Sequence, residues 1–169
     1  MWIWFLAIAG PVIALAVLLL VALILSMRTK WEPGLRFVRH LGRDHFNKAA
    51  LRTAGAPGAG THVIRNHGRR SGRLYRTPIA LTPTDDGWIV MLPYGTTPDW
   101  LKNVLAAGAA EVEFDGGVHA VTGPSVVSRA EVEHLLPPLD RFVARVFGVD
   151  QLLQLRRAAV GADIEEVSR

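Results

Sequence analysis

The residues best suited to chemistry form a basic cluster at positions 61–81, "THVIRNHGRRSGRLYRTPIAL", which holds five arginines and no acidic residue. Its centre, "GRRSG" (68–72), places two adjacent arginines between glycines. Arginine binds phosphate and carboxylate groups through paired hydrogen bonds, and flanking glycines allow a backbone to approach a ligand closely. The pattern predicts a site for a polyanion, and the alternative is a hairpin tip with solvated arginines. The five arginines are Arg65, Arg69, Arg70, Arg73 and Arg76.

A second group of residues follows an apolar run that ends in "PYG". Tyr94 and Gly95 end the predicted strand, and "PDWLKN" then begins a helix. Trp100 and Asn103 lie three residues apart, so both can face the same side of that helix. A strand end beside a helix N-terminus suits a ring system with a polar edge. The alternative is that Trp100 belongs to the core and Asn103 is a cap or a solvated residue.

The sequence gives little support for a metal site, a nucleotide-binding glycine motif or nucleophilic catalysis. There is no cysteine, and His, Asp and Glu do not occur at metal-ligand spacing, so we predict no metal site. The phosphate-binding glycine motifs and the nucleophile elbow are also absent. His62 and His67 are interpreted as surface or hydrogen-bonded residues. If the protein is an enzyme, we therefore expect a cofactor to carry the chemistry.

The pattern of residues 61–169 predicts a mainly β (α+β) domain. Strands are expected in the basic cluster, in the apolar run "WIVMLPY", and on both sides of the Asp-Gly-Gly turn at 115–117. One helix is inserted at "PDWLKNVLAAG" and further helices follow Ser128, with a break near Gly148. Five or six antiparallel strands in this order favour a small barrel with helices packed outside.

The N-terminal third of the chain differs in composition from the predicted domain of residues 61–169. Residues 1–27 carry no charged side chain and are long enough to cross a bilayer, so we interpret them as a retained transmembrane anchor rather than a cleaved signal peptide. The pattern of residues 28–53 predicts a basic amphipathic helix that lies along the anionic inner leaflet. The alternative is an ordinary helix packed on the domain. Residues 54–60, "AGAPGAG", have the composition of a flexible linker.

Charge is unevenly distributed along the chain. Residues 1–83 carry 12 Lys and Arg against 2 Asp and Glu, whereas residues 84–169 carry 7 against 13. The basic residues directly after the span predict an N-terminus outside and a cytoplasmic domain at the plasma membrane. The basic half indicates an anionic partner such as lipid headgroups or a phosphorylated cofactor. Few aromatic residues are interleaved with the arginines, which argues against nucleic acid.

The ordered motifs "GRRSG", "RTP", "PYG" and "WLKN", within the segment from His62 to Phe114, resemble the deazaflavin-dependent nitroreductase and quinone reductase family of actinobacteria. The resemblance implies a split β-barrel, the deazaflavin coenzyme F-420, and hydride transfer to an acceptor bound over its ring. It implies that one group of residues binds the phosphate and oligoglutamate tail: Gly68, Arg69, Arg70, Ser71 and Arg76. A second group would line or flank the ring: Pro78, Tyr94, Gly95, Trp100 and Asn103.

This chain departs from the family pattern at its acceptor side. Pro93 stands where many relatives have Ser or Ala, and no tyrosine follows Tyr94. Because nitroimidazole-reducing members use C-terminal tyrosines, this departure argues against nitro-drug activation. The membrane span fits a lipid-soluble acceptor such as menaquinone, since tethering keeps the active site at the bilayer surface. Two alternatives remain: a non-catalytic accessory subunit of a larger membrane complex, and a related barrel that binds FMN.

Overall fold

The computed structural model describes residues 2–29, 33 and 47–158, and the fold is built from twelve helices and strands within them. A short 3-10 turn, Glu133–Leu135, lies between the last two helices. The elements in chain order are α1 (Trp2–Arg28), α2 (Asn47–Ala50), β1 (His62–His67), β2 (Leu74–Ile79), β3 (Thr82–Thr84), β4 (Gly87–Met91), α3 (Asp99–Ala107), β5 (Ala109–Phe114), β6 (Gly117–Ser128), α4 (Arg129–Val132), α5 (Pro138–Phe147) and β7 (Gln151–Arg157).

The strands form one curled antiparallel sheet in the order β2-β1-β5-β6-β7-β4-β3. The hairpin of β1 and β2 occupies one edge, with His62 opposite Ile79 and His67 opposite Leu74. The other edge is the three-residue strand β3, where Pro83 lacks an N–H for further pairing. This is a split β-barrel with flanking helices, and the fold predicted from the sequence is confirmed.

The core lies between the concave face of the sheet and α3. Ile64 of β1, Val112 of β5 and Leu153 of β7 are fully buried there, together with Leu101 and Val104 of α3. Each such side chain contributes roughly 1.5–3 kcal/mol when it is removed from water. Residues 87–90 of β4 are buried on both faces, as the continuous apolar run predicted. The core therefore fixes α3 against the strands that carry the basic hairpin.

The prediction of a helix after Gly148 was wrong. Gly148 does end α5 in the left-handed conformation, with φ of 64°, but Gln151–Arg157 is a strand between β6 and β4. The Leu, Gln and Arg residues of this segment have high helix propensity. Burial of Leu152, Leu153 and Leu155 together with two rows of ladder hydrogen bonds outweighs that preference. The described residues therefore contain seven strands, one or two more than expected.

Helix boundaries inside the domain follow the sequence signals. α3 begins after Pro98 with Asp99 in its first turn, and Gly108 ends it with φ of 69°. Ser128 and Glu131 form the predicted capping box of α4, in which the Ser128 N–H donates to the Glu131 carboxylate at 3.2 Å.

Residues 54–60 form turns that are hydrogen-bonded to the tip of the β5–β6 hairpin. The Gly55 carbonyl accepts from Gly116 N–H at 2.7 Å, and Gly58 N–H donates to the Asp115 carboxylate at 3.1 Å. Composition predicted a flexible linker here and gave no sign of these contacts. Most of the predicted amphipathic helix, residues 28–53, lies outside the described residues; the described ones are 28, 29, 33 and 47–53, and the last of these ranges forms α2 and the turns after it.

α1 is a long apolar helix at the N-terminus. Its segment Ala9–Arg28 has a mean hydropathy of 2.7 and is almost entirely exposed. Helices of this length and composition near an N-terminus are membrane spans or signal sequences. Arg28, its last residue, contacts the C-terminal end of α5.

Candidate functional site

The "GRRSG" sequence forms the tip of the β1–β2 hairpin, as predicted. Gly68 N–H donates to the Arg73 carbonyl and Gly72 N–H to the Gly68 carbonyl, both at 2.8 Å. A Cβ on Gly68 would lie 2.5 Å from Ser71 Oγ and 2.7 Å from the ring of Tyr75, so a larger residue here would displace these two side chains. Ser71 Oγ lies 3.3 Å from the Tyr75 hydroxyl. The ring and the glycine together give the tip a defined shape.

Arg69 is held by α3. The buried Asn103 side-chain oxygen accepts from Arg69 N–H at 3.2 Å and from Arg69 Nη1 at 2.8 Å. Arg69 Nη2 also contacts the Asp99 carboxylate at 3.1 Å. The structure thus brings Arg69 and Asn103 together, one helical turn from Asp99. Asn103 fixes the hairpin backbone as well as the guanidinium group.

Arg65 and Arg76 are neutralised by acidic residues of β5. Arg65 and Arg76 lie opposite each other across β1 and β2, and Arg65 also faces Glu111 of β5. Arg76 makes a bidentate pair with Glu113, at 3.1 and 2.7 Å, and Arg65 Nε lies 3.2 Å from Glu111. These arginines are therefore less available to a ligand than the sequence suggested.

Arg70 and Arg73 are different from the other three arginines. Both are exposed at the tip, and neither forms an ion pair or hydrogen bond with its side chain to another of the described residues. Arg70 and Arg73 lie three residues apart in the chain, and their guanidinium groups have no ion-pair partner among the described residues. Together they concentrate positive charge at the tip. Such an arrangement can bind phosphate or carboxylate groups at the cost of little rearrangement.

The residues predicted to line or flank a ring are less closely grouped. Tyr94 and Gly95 are half-buried in the connection from β4 to α3, where Gly95 has φ of 64° and its N–H donates to Leu92. Trp100 packs against the core from α3. Pro78 pairs with Val63 at the base of the hairpin, about 13 Å along β2 from Leu74 at 3.3 Å per residue. Pro78 is thus distant from the arginine tip.

One buried polar atom near the hairpin has no partner among the described residues. Asn66 precedes the tip in β1 and is 3% exposed, and its side-chain oxygen accepts no hydrogen bond there. Asn66 lies two residues after Ile64 in β1 and therefore on the same face of the sheet, the face toward the core and α3. A buried acceptor of this kind is costly unless a donor satisfies it. A ligand seated beside the tip could supply that donor.

His62 lies at the far end of β1 and does not join the tip. Its ring stacks on Phe114 with centroids 4.5 Å apart, and burial lowers its pKa, an effect that the nearby Asp115 charge partly opposes. Trp88 continues this aromatic row between Phe114 and His119. The row is a structural feature of the sheet. Within the described residues, no cluster of His, Asp and Glu could hold a metal ion.

Sequence reasoning missed several residues that shape the site. Arg73 was counted in the cluster but not assigned a binding role, although it is one of the two unpaired guanidinium groups. Asp99, which pairs with Arg69, was not assigned a role at the site. The alternation of Glu111 and Glu113 was the available signal for the ion pairs, but it could be used only once β5 was known to pair with β1.

The fold and the tip define a split β-barrel that carries a glycine-bounded basic hairpin beside a capped helix. Residues 43–148 match the family model described as F420H(2)-dependent quinone reductase, which covers more than half of the chain. The chain belongs to this family, and the family prediction made from the motifs is confirmed. The predicted cofactor, coenzyme F-420, is the one on which this family depends. The chain is an oxidoreductase of the deazaflavin-dependent class.

Solved structures with a similar fold have low sequence identity to this chain. One is an F420-H2 dependent reductase, FDR-A, with 14% identity, a TM-score of 0.44, and coverage of 57% of this chain and 94% of its own. Another is HutZ, the heme storage protein of Vibrio cholerae, with 12% identity, a TM-score of 0.45, and coverage of 60% and 84%. No curated protein matches the chain.

Proposed function

We propose that this chain is a membrane-anchored oxidoreductase that passes a hydride from reduced coenzyme F-420 to a lipophilic acceptor, a quinone such as menaquinone. The observation that supports it best is the hairpin tip, where Arg70 and Arg73 have no charge partner among the described residues and Arg69 is fixed by Asn103. The coenzyme supplies hydride chemistry when bound. The protein supplies binding, orientation and exclusion of water.

The tip has the chemistry that the coenzyme requires. Its phosphate and oligoglutamate tail is a chain of anions, which two free guanidinium groups at Arg70 and Arg73 can bind in succession. Gly68 and Ser71 shape the turn around them, and Arg69 adds a third positive charge on the side of α3. Arg76 would contribute only if the tail competes with Glu113 for its guanidinium group.

The ring would lie between the hairpin and the β4–α3 connection. Tyr94 and Gly95 provide an edge for it, and Trp100 and Pro78 provide apolar surface that excludes water. Asn103 would act through Arg69, because its buried oxygen holds that backbone in place. The buried Asn66 oxygen would accept a hydrogen bond from a donor on the ligand. Fixed placement of the ring against an acceptor accelerates transfer by removing orientational freedom.

The membrane part of the proposal depends on α1 and the basic segment after it. α1 would span the plasma membrane with its N-terminus outside, and residues 28–53 would lie on anionic lipid of the cytoplasmic leaflet. The barrel would then work in the cytoplasm at the bilayer surface. A quinone dissolved in the bilayer could reach it without crossing water.

The test uses the full chain in lipid vesicles. Oxidation of reduced coenzyme F-420 is followed by absorbance after addition of menaquinone, and binding is measured by the polarisation of coenzyme fluorescence. We expect saturable binding and turnover with the quinone. Binding without turnover, together with stoichiometric membrane partners in mild detergent, would support the accessory subunit. A yellow purified protein with an oxidised flavin spectrum would support the FMN barrel.

A further inference from the structure

Helix α5 has exposed apolar side chains on the side that faces away from the sheet. Leu139 is 70% exposed, Phe142 62%, and Leu135 of the preceding 3-10 turn 40%. The inward side of α5 carries Ala144, which is fully buried, and Asp140, whose carboxylate accepts a hydrogen bond from buried Thr82 at 2.9 Å. A helix that faces water normally shows the opposite arrangement. We call Leu135, Leu139 and Phe142 the outer apolar face.

The C-terminal end of the same helix is joined to the end of α1. Arg28 Nη1 donates to the carbonyls of Arg145 and Val146, at 3.0 and 3.3 Å. A cation at the C-terminus of a helix satisfies free carbonyls and interacts favourably with the helix dipole. The Arg28 side chain also covers Gly148, where an added Cβ would lie 3.2 Å from its Cγ. The last turn of α5 therefore lies directly beside Arg28, the last residue of α1.

This junction limits how far the outer apolar face can lie from a membrane. At 1.5 Å per residue, Phe142 lies about 4.5 Å and Leu139 about 9 Å along the axis from Arg145. The polar interfacial layer on each side of the hydrocarbon core is on the order of 5–8 Å thick. If α1 ends in that layer at Arg28, α5 lies in the layer or at its surface.

We propose that the outer apolar face of α5 inserts into the interfacial layer of the membrane that α1 crosses. The inference rests on the anchoring part of the proposed function and adds a second lipid contact to it. Arg28 places positive charge beside the face, which suits anionic headgroups, whereas Arg145 is paired with Glu133. α5 would hold the barrel in one orientation on the bilayer.

A second copy of the chain fits this face less well than lipid does. Three partly exposed side chains offer on the order of 300 Å², given about 150–250 Å² for a whole aromatic side chain. A stable protein interface needs about 800 Å² from each partner. Lipid sets no such requirement, because an interfacial helix gains free energy in proportion to whatever apolar area it buries.

The chain has no cysteine, so single cysteines can report depth in the full-length protein. We would prepare Leu139→Cys and Phe142→Cys, with Val118→Cys on β6 as a reference that is also more than half exposed. Each is labelled with a fluorophore and reconstituted in phosphatidylcholine and phosphatidylglycerol vesicles, with or without lipids that carry a shallow spin-label quencher. Leu15→Cys in α1 reports insertion of that helix separately.

We expect the spin-labelled lipid to quench the labels at 139 and 142 several-fold more strongly than the label at 118. Equal quenching at all three positions would overturn the inference. Protection of 139 and 142 from aqueous iodide without quenching by lipid would also overturn it and would indicate a protein partner. Quenching at 15 and oxidation of reduced coenzyme are measured on the same vesicles, so loss of anchoring or of activity is distinguished from loss of this lipid contact.

Discussion

Arg69 and Arg70 are adjacent in the chain, yet their surroundings give them different roles. Arg69 is held by Asn103 and Asp99, whereas the Arg70 side chain has no partner among the described residues. Arg73 resembles Arg70, and Arg65 and Arg76 are paired with acidic residues of β5. The net attraction for a polyanion therefore depends on two residues more than on five. The sequence predicted a turn with clustered arginines at these residues but not this division among them.

Replacement of Arg70 or Arg73 by alanine should weaken coenzyme binding while the fold is preserved. Each loses charge-assisted hydrogen bonds that no acidic residue offsets, so we expect the dissociation constant to rise about tenfold per residue. Fluorescence polarisation of the coenzyme measures it. Arg156→Ala on β7 is the matched control, because this exposed arginine lies on a strand that does not contact the hairpin. Equal effects of all three substitutions would contradict a specific tail site.

His62 should make the stability of the barrel depend on pH. Its folded pKa lies below the ordinary value of 6.5, because burial disfavours the charged ring. As pH falls below about 6.5, the unfolded chain binds a proton that the folded chain does not, so the free energy of unfolding decreases. Below the folded pKa of His62, both states bind the proton and the free energy of unfolding decreases no further. Above pH 6.5, His62 is neutral in both states and this loss of stability is absent.

The measurement is thermal unfolding between pH 8 and pH 5 for the protein and for His62→Phe, which keeps the ring contact with Phe114. The variant should lose less stability over this interval than the parent. The other five histidines are common to both proteins, so the difference between the two curves isolates residue 62. Parallel curves would show that His62 is not desolvated in the folded state.

At the scale of elements, α3 organises the site by joining the core to the hairpin tip. Leu101 and Val104 are buried under the sheet, while Asn103 between them reaches the Arg69 backbone. The capping signals at Pro98 and Gly108 located this helix in the sequence. The contact with the hairpin could not be predicted, because it depends on the curl of the sheet bringing β1 beside α3.

Asn103→Leu should loosen the tip and weaken coenzyme binding. The substitution removes the acceptor of a partly buried N–H, which costs about 1–3 kcal/mol of stability. Asn103→Asp keeps an acceptor of the same size and should retain most of the binding. Thermal unfolding and coenzyme titration of both variants check this. If Asp and Leu weaken binding equally, Asn103 would contact the ligand directly instead of acting through Arg69.

β7 shows where local patterns fail to predict the fold. The segment "QLLQLRR" is composed of helix formers, and its apolar positions do not alternate strictly. It becomes a strand because the space between β6 and β4 can be filled only by an extended chain with a partner on both sides. β4, by contrast, was predicted correctly, since an apolar run bounded by turns is typical of a strand buried on both faces.

At the scale of the whole molecule, the basic half of the chain contains both the apolar helix and the arginine hairpin. Positive charge near α1 favours a fixed orientation in the membrane, and positive charge at the tip favours an anionic cofactor. The acidic half supplies partners that neutralise part of this charge: Glu111 pairs with Arg65, Glu113 with Arg76, and Asp99 with Arg69. At the tip, Arg70 and Arg73 have no ion-pair partner among the described residues.

The junction between α1 and α5 should matter only for an acceptor dissolved in the membrane. Arg28→Ala removes the contact with the carbonyls of Arg145 and Val146, which can still bind water, so the barrel should stay folded. Lys30, Arg36, Arg39 and Arg43 preserve the positive charge that would set the orientation of the span in the proposed topology. What the variant loses is the fixed position of the barrel over the bilayer.

In vesicles we therefore expect Arg28→Ala to lower the rate with menaquinone severalfold and to leave the rate with a short-chain, water-soluble quinone near that of the parent. Coenzyme affinity should be unchanged, because the tip lies on the β1–β2 hairpin and not on α5. Arg156→Ala controls for loss of one positive charge elsewhere on the barrel. Equal losses with both quinones would show that Arg28 supports the active fold, and no loss with either would show that access to the bilayer does not depend on this junction.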